Sequence, residues 1–200
     1  MTRFKRNPIS IAFAALSLVL AMSAVSFGKR HVDSNFSNIK IRNFGQMDQR
    51  FYRGAQPEGS DYKDLATLGI KTVIDLRDDA TSSEKQSVEA LGMRYVNIPM
   101  SDSDYPKAAQ IDQFLKLANN PATGKFFVHC AGGRHRTGVM GAVYRYNNYH
   151  WNFDQVYAEM KDYDFYTRFG HGKMKDFVQD YWQQIQAKQA TTPVPATVTR

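Results

Sequence analysis

The chain contains a single cysteine among its 200 residues. One thiol cannot close an intramolecular disulfide, so covalent staples are excluded as a source of stability. No cysteine lies near the small residues that follow the N-terminal apolar run, which excludes a bacterial lipid anchor there. The histidines, acids and cysteine show no metal-ligand spacing, and no segment repeats. There is no basic arm interleaved with aromatics of the kind that grips nucleic acid. No metal, no cofactor and no nucleic-acid partner is therefore expected. Long apolar runs are scarce as well. The clearest, Ile9 to Leu20, covers only about a dozen residues and is too short and poorly flanked for a membrane span.

That run belongs to a leader. Arg3, Lys5 and Arg6 precede it, and the small residues Ala21, Ser23, Ala24 and Ser26 follow it, which is the anatomy of a secretory signal peptide. Ser23, Ala24 and Ser26 can each precede the cut; Ser26 is favoured because Ala24-Val25-Ser26 has the small-x-small form. An uncleaved signal anchor is the competing reading. The expected organisation is a signal peptide over 1–26, one domain over 27–187 and a disordered tail over 188–200, in a periplasmic or secreted protein. The formal charge is +7, and removing the leader's three cations leaves +4, mildly basic and consistent with anionic substrates. In an oxidising compartment a lone thiolate invites oxidation. It is an odd structural choice and a sensible nucleophile.

The cysteine sits in the run His129-Cys130-Ala131-Gly132-Gly133-Arg134-His135-Arg136-Thr137-Gly138. A cysteine attacks phosphorus only as a thiolate, so its pKa must fall well below the free value of about 8.5. Backbone N–H groups of a tight glycine loop that opens a helix supply positive potential to the sulfur. The same groups, from Ala131, Gly132, Gly133, Arg134 and His135, can hold phosphate oxygens. Arg136 can grip a phosphate with two parallel hydrogen bonds, which a lysine cannot reproduce. Thr137 can donate its hydroxyl to the departing sulfur. The context agrees: Lys125-Phe126-Phe127-Val128 is a short apolar run suited to a buried strand, and Val139, Met140, Val143 and Tyr146 make one helical face.

Upstream, Ile39-Lys40-Ile41, Phe51-Tyr52-Arg53, Ile70 to Leu76 and Tyr95 to Ile98 read as strands. A helix capped by Ser60 should end at Gly69, and another over Glu84 to Leu91 should end at Gly92. Further helices are expected over 108–119, 137–149, Asp154 to Met160 and Lys173 to Ile185. Alternating helices and short apolar strands predict an α/β fold, with a central mostly parallel sheet flanked by helices.

The run at 129–138 resembles the signature of the cysteine-dependent protein tyrosine phosphatase superfamily, His-Cys-x-x-Gly-x-x-Arg-Ser/Thr-Gly. Phe51-Tyr52-Arg53-Gly54-Ala55-Gln56-Pro57 and the stretch Leu68 to Arg77 are similar to the compact atypical dual-specificity branch of bacteria, plants and fungi, as is Arg134-His135-Arg136-Thr137-Gly138. Members of that branch typically carry a basic first loop position where Ala131 stands. The resemblance covers roughly residues 36–185. It implies a protein tyrosine phosphatase-like single domain and a phosphoric monoester hydrolase that works through a cysteinyl-phosphate. Arg136 and the loop amides would hold the phosphoryl oxygens, and His129 would support the nucleophile. The superfamily also uses an aspartate on a separate loop as general acid. Asp102 and Asp104 both lie in the right place, and Asp104 is favoured because Tyr105-Pro106 can stiffen it.

The expected partner is a phosphorylated small molecule or protein. Arg134, His135 and the net charge favour inositol polyphosphate or phosphoinositide substrates over phosphotyrosine or dual-specificity protein substrates. A membrane is reached only through phosphoinositide headgroups or an uncleaved leader. Arg53 and Arg77 either brace the loop or pair with Asp75 or Asp78, and His171 and Lys173 are rim candidates that more readily read as a solvated helix start. The aromatics from Tyr144 to Tyr157 read as core. A non-catalytic phosphate-binding module is opposed by the presence of both Cys130 and Arg136. A rhodanese-like sulfur carrier is opposed by Gly133-x-x-Arg136-Thr137-Gly138.

Overall fold

A computed structural model describes residues 36–191. The signal peptide expected over 1–26 and the residues beyond 191 lie outside these residues. Five strands form one sheet: β1 (Gly45–Gln46), β2 (Phe51–Ala55), β3 (Ile70–Asp75), β4 (Arg94–Asn97) and β5 (Lys125–Cys130). Their order is β1-β2-β5-β3-β4, with only the β1–β2 pair antiparallel. Six helices accompany them: α1 (Asp61–Thr67), α2 (Ser82–Glu89), α3 (Ala108–Ala118), α4 (Arg136–Tyr149), α5 (Phe153–Asp162) and α6 (Gly172–Thr191). The α/β architecture with a mostly parallel sheet is the one expected.

The pleat of β5 decides what each face receives. Phe126, Val128 and Cys130 point to the core under α3 to α6, whereas Phe127 belongs to a second core with Tyr62, Leu65 and Val88 of α1 and α2. Both phenylalanines are wholly buried, each contributing about 1.5–3 kcal/mol. Alternation sends the neighbouring His129 away from Cys130, toward α2. The register sets Ala55 beside Cys130, and both Gly54 and Asp75 beside His129. Three parallel strands thus end together, which is where α/β sheets place their ligands. The series Tyr144 to Tyr157 is largely core or packed against it, with Tyr149 exposed.

Three expectations need correction. Ile39-Lys40-Ile41 is not a strand; the chain turns through Asn43, whose φ is 53°. Only Ile41 of the three is buried, so burial of one side chain, not a ladder, explains the apolar pair. Ser60 makes no side-chain cap of α1; Asp61 instead accepts from the Glu58 amide at 2.9 Å. Helix α6 runs to Thr191, past the expected start of the tail at 188. Gly69 and Gly92 do end α1 and α2, at φ 87° and 74°.

Candidate active site

Cys130 is the last residue of β5, 3% exposed, and Arg136 is the first of α4. Between them the loop turns through Gly133 at φ 67°, where an added Cβ would land on the backbone of Gly54 and Ala55. Arg53, buried in β2, fastens this turn from behind. Its Nη2 donates to the Gly133 carbonyl at 2.8 Å, and its guanidinium lies 3.9 Å from the centre of the Tyr163 ring. From the other side Asn43 Nδ2 donates to the Gly132 carbonyl at 2.9 Å. A loop held at two carbonyls leaves its amides free to face an anion. Ala131 is exposed at the mouth, and Gly132 is half-buried.

Burial pushes the Cys130 thiol up, but the Thr137 hydroxyl and amide, the Arg136 charge and the Gly133 amide outweigh it and bring the pKa below its ordinary value. Thr137 is fully buried. The sequence-derived loop residues are therefore assembled around the sulfur. Arg136 is buried, and its Nη1 donates to Asp78 Oδ1 at 2.8 Å and to the Met100 carbonyl at 3.2 Å.

Behind the loop is a buried ionic cluster. Arg77 donates to both oxygens of Asp75, at 3.0 and 2.7 Å, to Gln56 at 2.7 Å, and to Glu84. His129 lies with Nε2 3.0 Å from Glu84 Oε1 and Nδ1 3.8 Å from Asp75 Oδ1. Burial raises the Asp75 carboxyl, but Arg77 foremost, with His129 and Tyr95, brings it below the usual range. Asp75, Glu84 and His129 could together offer metal ligands, yet the Arg77 guanidinium already bonds both carboxylates. The cluster is an ion network that carries His129, the residue before the nucleophile.

The loop 101–106 is exposed at both of its aspartates. Asp104 pairs with Lys173 Nζ at 2.7 Å, and that hydrogen bond and charge hold its carboxyl below the usual range. The Asp102 carbonyl accepts from His171 Nδ1 at 2.8 Å, leaving its carboxyl outside the ion pair. His135, at the start of α4, stacks on His171 with ring centres 3.6 Å apart and planes 12° apart. Its Nε2 meets the Tyr166 carbonyl at 3.0 Å; burial and the neighbouring His171 push it down to about 4. Arg134 Nε lies 3.9 Å from Asp164 at the surface.

Sequence reasoning passed over two residues that meet the site, Glu84 and Asn43, and named Asp78 only as a partner for Arg53 or Arg77. Asp78 stands just past the end of β3 and was legible by that position, because loops after parallel strands line the ligand crevice. Glu84 sits three residues after Thr81, which caps α2 by accepting from its amide; that spacing disguises it as a helix-start glutamate, while its carboxylate serves Arg77. Asn43 had no signal, since its role depends on a turn that the reading of Ile39 to Ile41 as a strand did not foresee.

A model of the family described as DSP-PTPase phosphatase fused to NAD+ kinase matches residues 29–180. A probable tyrosine-protein phosphatase of Dictyostelium discoideum is 29% identical over 144 residues, spanning 69% of this chain and 82% of that protein. The inositol diphosphatase SIW14 of Saccharomyces cerevisiae is 23% identical over 150 residues, 72% of this chain and 50% of its own. The Siw14 catalytic core superposes with a TM-score of 0.62 at 19% identity, covering 78% of this chain and 97% of that one. A cysteine-to-serine form of TpbA from P. aeruginosa, in complex with phosphotyrosine, gives 0.53 at 21% identity, covering 70% and 90%. At such identities the solved structures establish a common fold.

Proposed function

Since the chain belongs to the family of DSP-PTPase phosphatases fused to NAD+ kinase, and is thus a phosphoric monoester hydrolase of the cysteine-dependent tyrosine and dual-specificity kind, we propose that it hydrolyses phosphomonoesters at Cys130 by a metal-independent route. The observation that carries this reading is the depressed Cys130 thiol, held by Thr137, Arg136 and the Gly133 amide at a strand-to-helix turn. The thiolate attacks phosphorus, an S–P bond forms and the bond to the leaving oxygen breaks. Arg136 exchanges Asp78 for the phosphoryl oxygens and, with the loop amides, holds charge in the transition state. The leaving oxygen takes a proton from the 101–106 loop. Asp102 is the better candidate of the two, because the Asp104 carboxylate is already engaged by Lys173. Water then cleaves the S–P bond, releasing phosphate and restoring the thiolate.

The preferred substrates are inositol polyphosphates or phosphoinositide headgroups. A cavity of about 130 Å³ opens beside Ala131, with Lys40, Arg42 and Gln56 on its walls along with Glu58 and Asp61. Lys40 and Arg42 are exposed cations on that wall, the charge a second phosphate calls for. The likeness to the yeast inositol diphosphatase supports the same class. Phosphotyrosine is the second reading, favoured by Phe169, which is 83% exposed on the loop that carries Tyr166 against His135. The leader anatomy supports export, with the reaction taking place in the periplasm or outside the cell. None of the described helices is long and apolar enough to cross a membrane.

The test is phosphate release by the purified chain from an aryl phosphate, phosphotyrosine and phosphoserine peptides and inositol hexakisphosphate, with reductant and chelator present. Release that disappears in Cys130→Ser and survives chelation is expected, with inositol hexakisphosphate preferred. Equal release by Cys130→Ser would overturn the mechanism, and release from phosphotyrosine alone would overturn the substrate class.

A further inference from the structure

We propose that His171 is the positioning residue that seats the acid loop against the phosphate-binding loop, so that proton donation and phosphate capture are set by one side chain. The inference rests on the reading that an aspartate of the 101–106 loop protonates the leaving group.

Two bonding modes meet in this imidazole. Its face lies on His135, the last residue of the phosphate-binding loop, at 3.6 Å and nearly parallel. Its edge donates from Nδ1 to the Asp102 carbonyl at 2.8 Å. Tyr166 closes the remaining side, edge-on to both rings, and its carbonyl meets His135 Nε2 at 3.0 Å. Because burial and His171 hold His135 near 4, its ring stays uncharged through the neutral range. The next contacts along the loop come from α6: Lys173 to Asp104 at 2.7 Å, then Tyr105 to Asp180 at 2.8 Å, with the Tyr105 ring against Phe177. Those contacts hold the far end of the loop. The His171 contact ties Asp102 itself to the loop that carries Cys130 and Arg136, alongside the bond from Arg136 to the Met100 carbonyl just before the acid loop.

A planar ring with an in-plane donor is needed to do both. Phenylalanine keeps the stack and loses the donor; asparagine keeps a donor at the position of Nδ1 and loses most of the stack. A residue that merely packs would respond to neither distinction. His171 is only half-buried, so the fold tolerates these changes.

The experiment measures kcat for an alkyl phosphate, whose leaving oxygen must be protonated, and for a nitrophenyl phosphate, whose leaving group departs as an anion. His171→Phe, His171→Asn, Asp102→Asn and Asp104→Asn are compared with the unaltered chain, each checked for its thermal transition. General acids contribute about 10²–10⁴-fold, so partial misplacement should lower the alkyl-to-aryl ratio about tenfold in His171→Phe and in His171→Asn alike, since each keeps only one of the two contacts. Loss of the ratio in an aspartate variant with His171→Phe indistinguishable from the unaltered chain would overturn the inference alone. An unchanged ratio in both aspartate variants would overturn the acid-loop reading and the inference with it. An unaltered ratio in His171→Asn would overturn the role assigned to the stack on His135.

Discussion

Arg136 Nη1 donates to Asp78 Oδ1 at 2.8 Å, so the guanidinium that should receive phosphate is already held by a carboxylate. The two ends of this pair differ: the Arg136 side chain is 9% exposed and the Asp78 side chain 61%. Asp78 can therefore swing into water at small cost, while Arg136 stays aimed by its second bond to the Met100 carbonyl. The pair keeps a buried cation partnered between turnovers and yields to a better anion.

Asp78→Asn should consequently tighten binding of inorganic phosphate or vanadate. Half-exposed ion pairs are worth about 0.2–1 kcal/mol, so the inhibition constant should fall roughly two- to fivefold, the gain shrinking as ionic strength rises. Inhibition titrations at low and high salt measure it. Weaker phosphate binding in the variant would mean that Asp78 orients Arg136 rather than competing for it.

The thiol offers a separate handle. Its burial disfavours the thiolate, and the hydroxyl and amide of Thr137 are foremost among the groups that reverse this. Thr137→Ala removes the hydroxyl but keeps the amide and the helix start, so the thiol pKa should rise toward its ordinary value without reaching it. The rate of alkylation by iodoacetamide against pH reports the inflection directly. The acid limb of the pH–rate profile should move up by the same amount, since activity needs the thiolate. An inflection identical in both proteins would exclude the hydroxyl as a source of the depression.

The sequence revealed the half of the site that lies within one contiguous turn. His129 to Gly138 could be read residue by residue because strand, loop and helix start follow one another there, and each spacing answers a local demand of phosphate chemistry. Strand β5 and helix α4 then locate the sheet around it. What remained hidden depends on contacts across the chain. Arg53 was already a candidate brace, but its target, the Gly133 carbonyl eighty positions away, was not legible; Asn43 braces Gly132 from eighty-nine positions away and leaves no periodic trace. The preference for Asp104 rested on the stiffness of Tyr105-Pro106. Local stiffness says nothing about Lys173, which meets that carboxylate from a helix sixty-nine positions later. The strand expected at Ile39 to Ile41 failed for a related reason, since a pair of isoleucines signals burial without saying whether a neighbouring strand is there to pair with.

The ion network behind the loop sets the response to acid. The Asp75 pKa is below its ordinary 3.8 in the fold, chiefly because Arg77 outweighs the effect of burial. A group with a lowered folded pKa contributes stability above its unfolded value and loses it as pH falls through the folded one. The thermal transition should therefore hold from neutrality to the ordinary carboxylate range and drop below 3.8. Asp75→Asn leaves Arg77 short of a buried partner, which costs about 3–5 kcal/mol, and removes this titration. Its transition should be lower at neutral pH and converge on that of the unaltered chain in acid. Parallel curves across the whole range would show that Asp75 contributes packing and not charge.

Gly133 is the position where backbone conformation and close approach coincide, and it separates stability from loop geometry. Its φ of 67° is uncommon for residues with a side chain, and a Cβ there would meet the backbone of Gly54 and Ala55 at the end of β2. Backbone cannot step aside as a flexible side chain can, and β2 is fully buried and paired with β5 through Cys130. Gly133→Ala must therefore either push the loop off β2 or distort the strand. Strain of the first kind costs about 1–3 kcal/mol, and the clash adds to it. Displacing the loop also removes the Gly133 carbonyl from Arg53 and the Gly133 amide from the thiol. The variant should melt several degrees lower, and its Cys130 should alkylate with a raised inflection even well below the melting range. Gly132→Ala is the control, since an added Cβ there meets nothing nearer than Arg134 at 3.8 Å. It should leave both readouts close to those of the unaltered chain. A Gly133→Ala protein with a lowered transition and an unmoved thiol would mean that the loop keeps its shape and the strain is absorbed in β2.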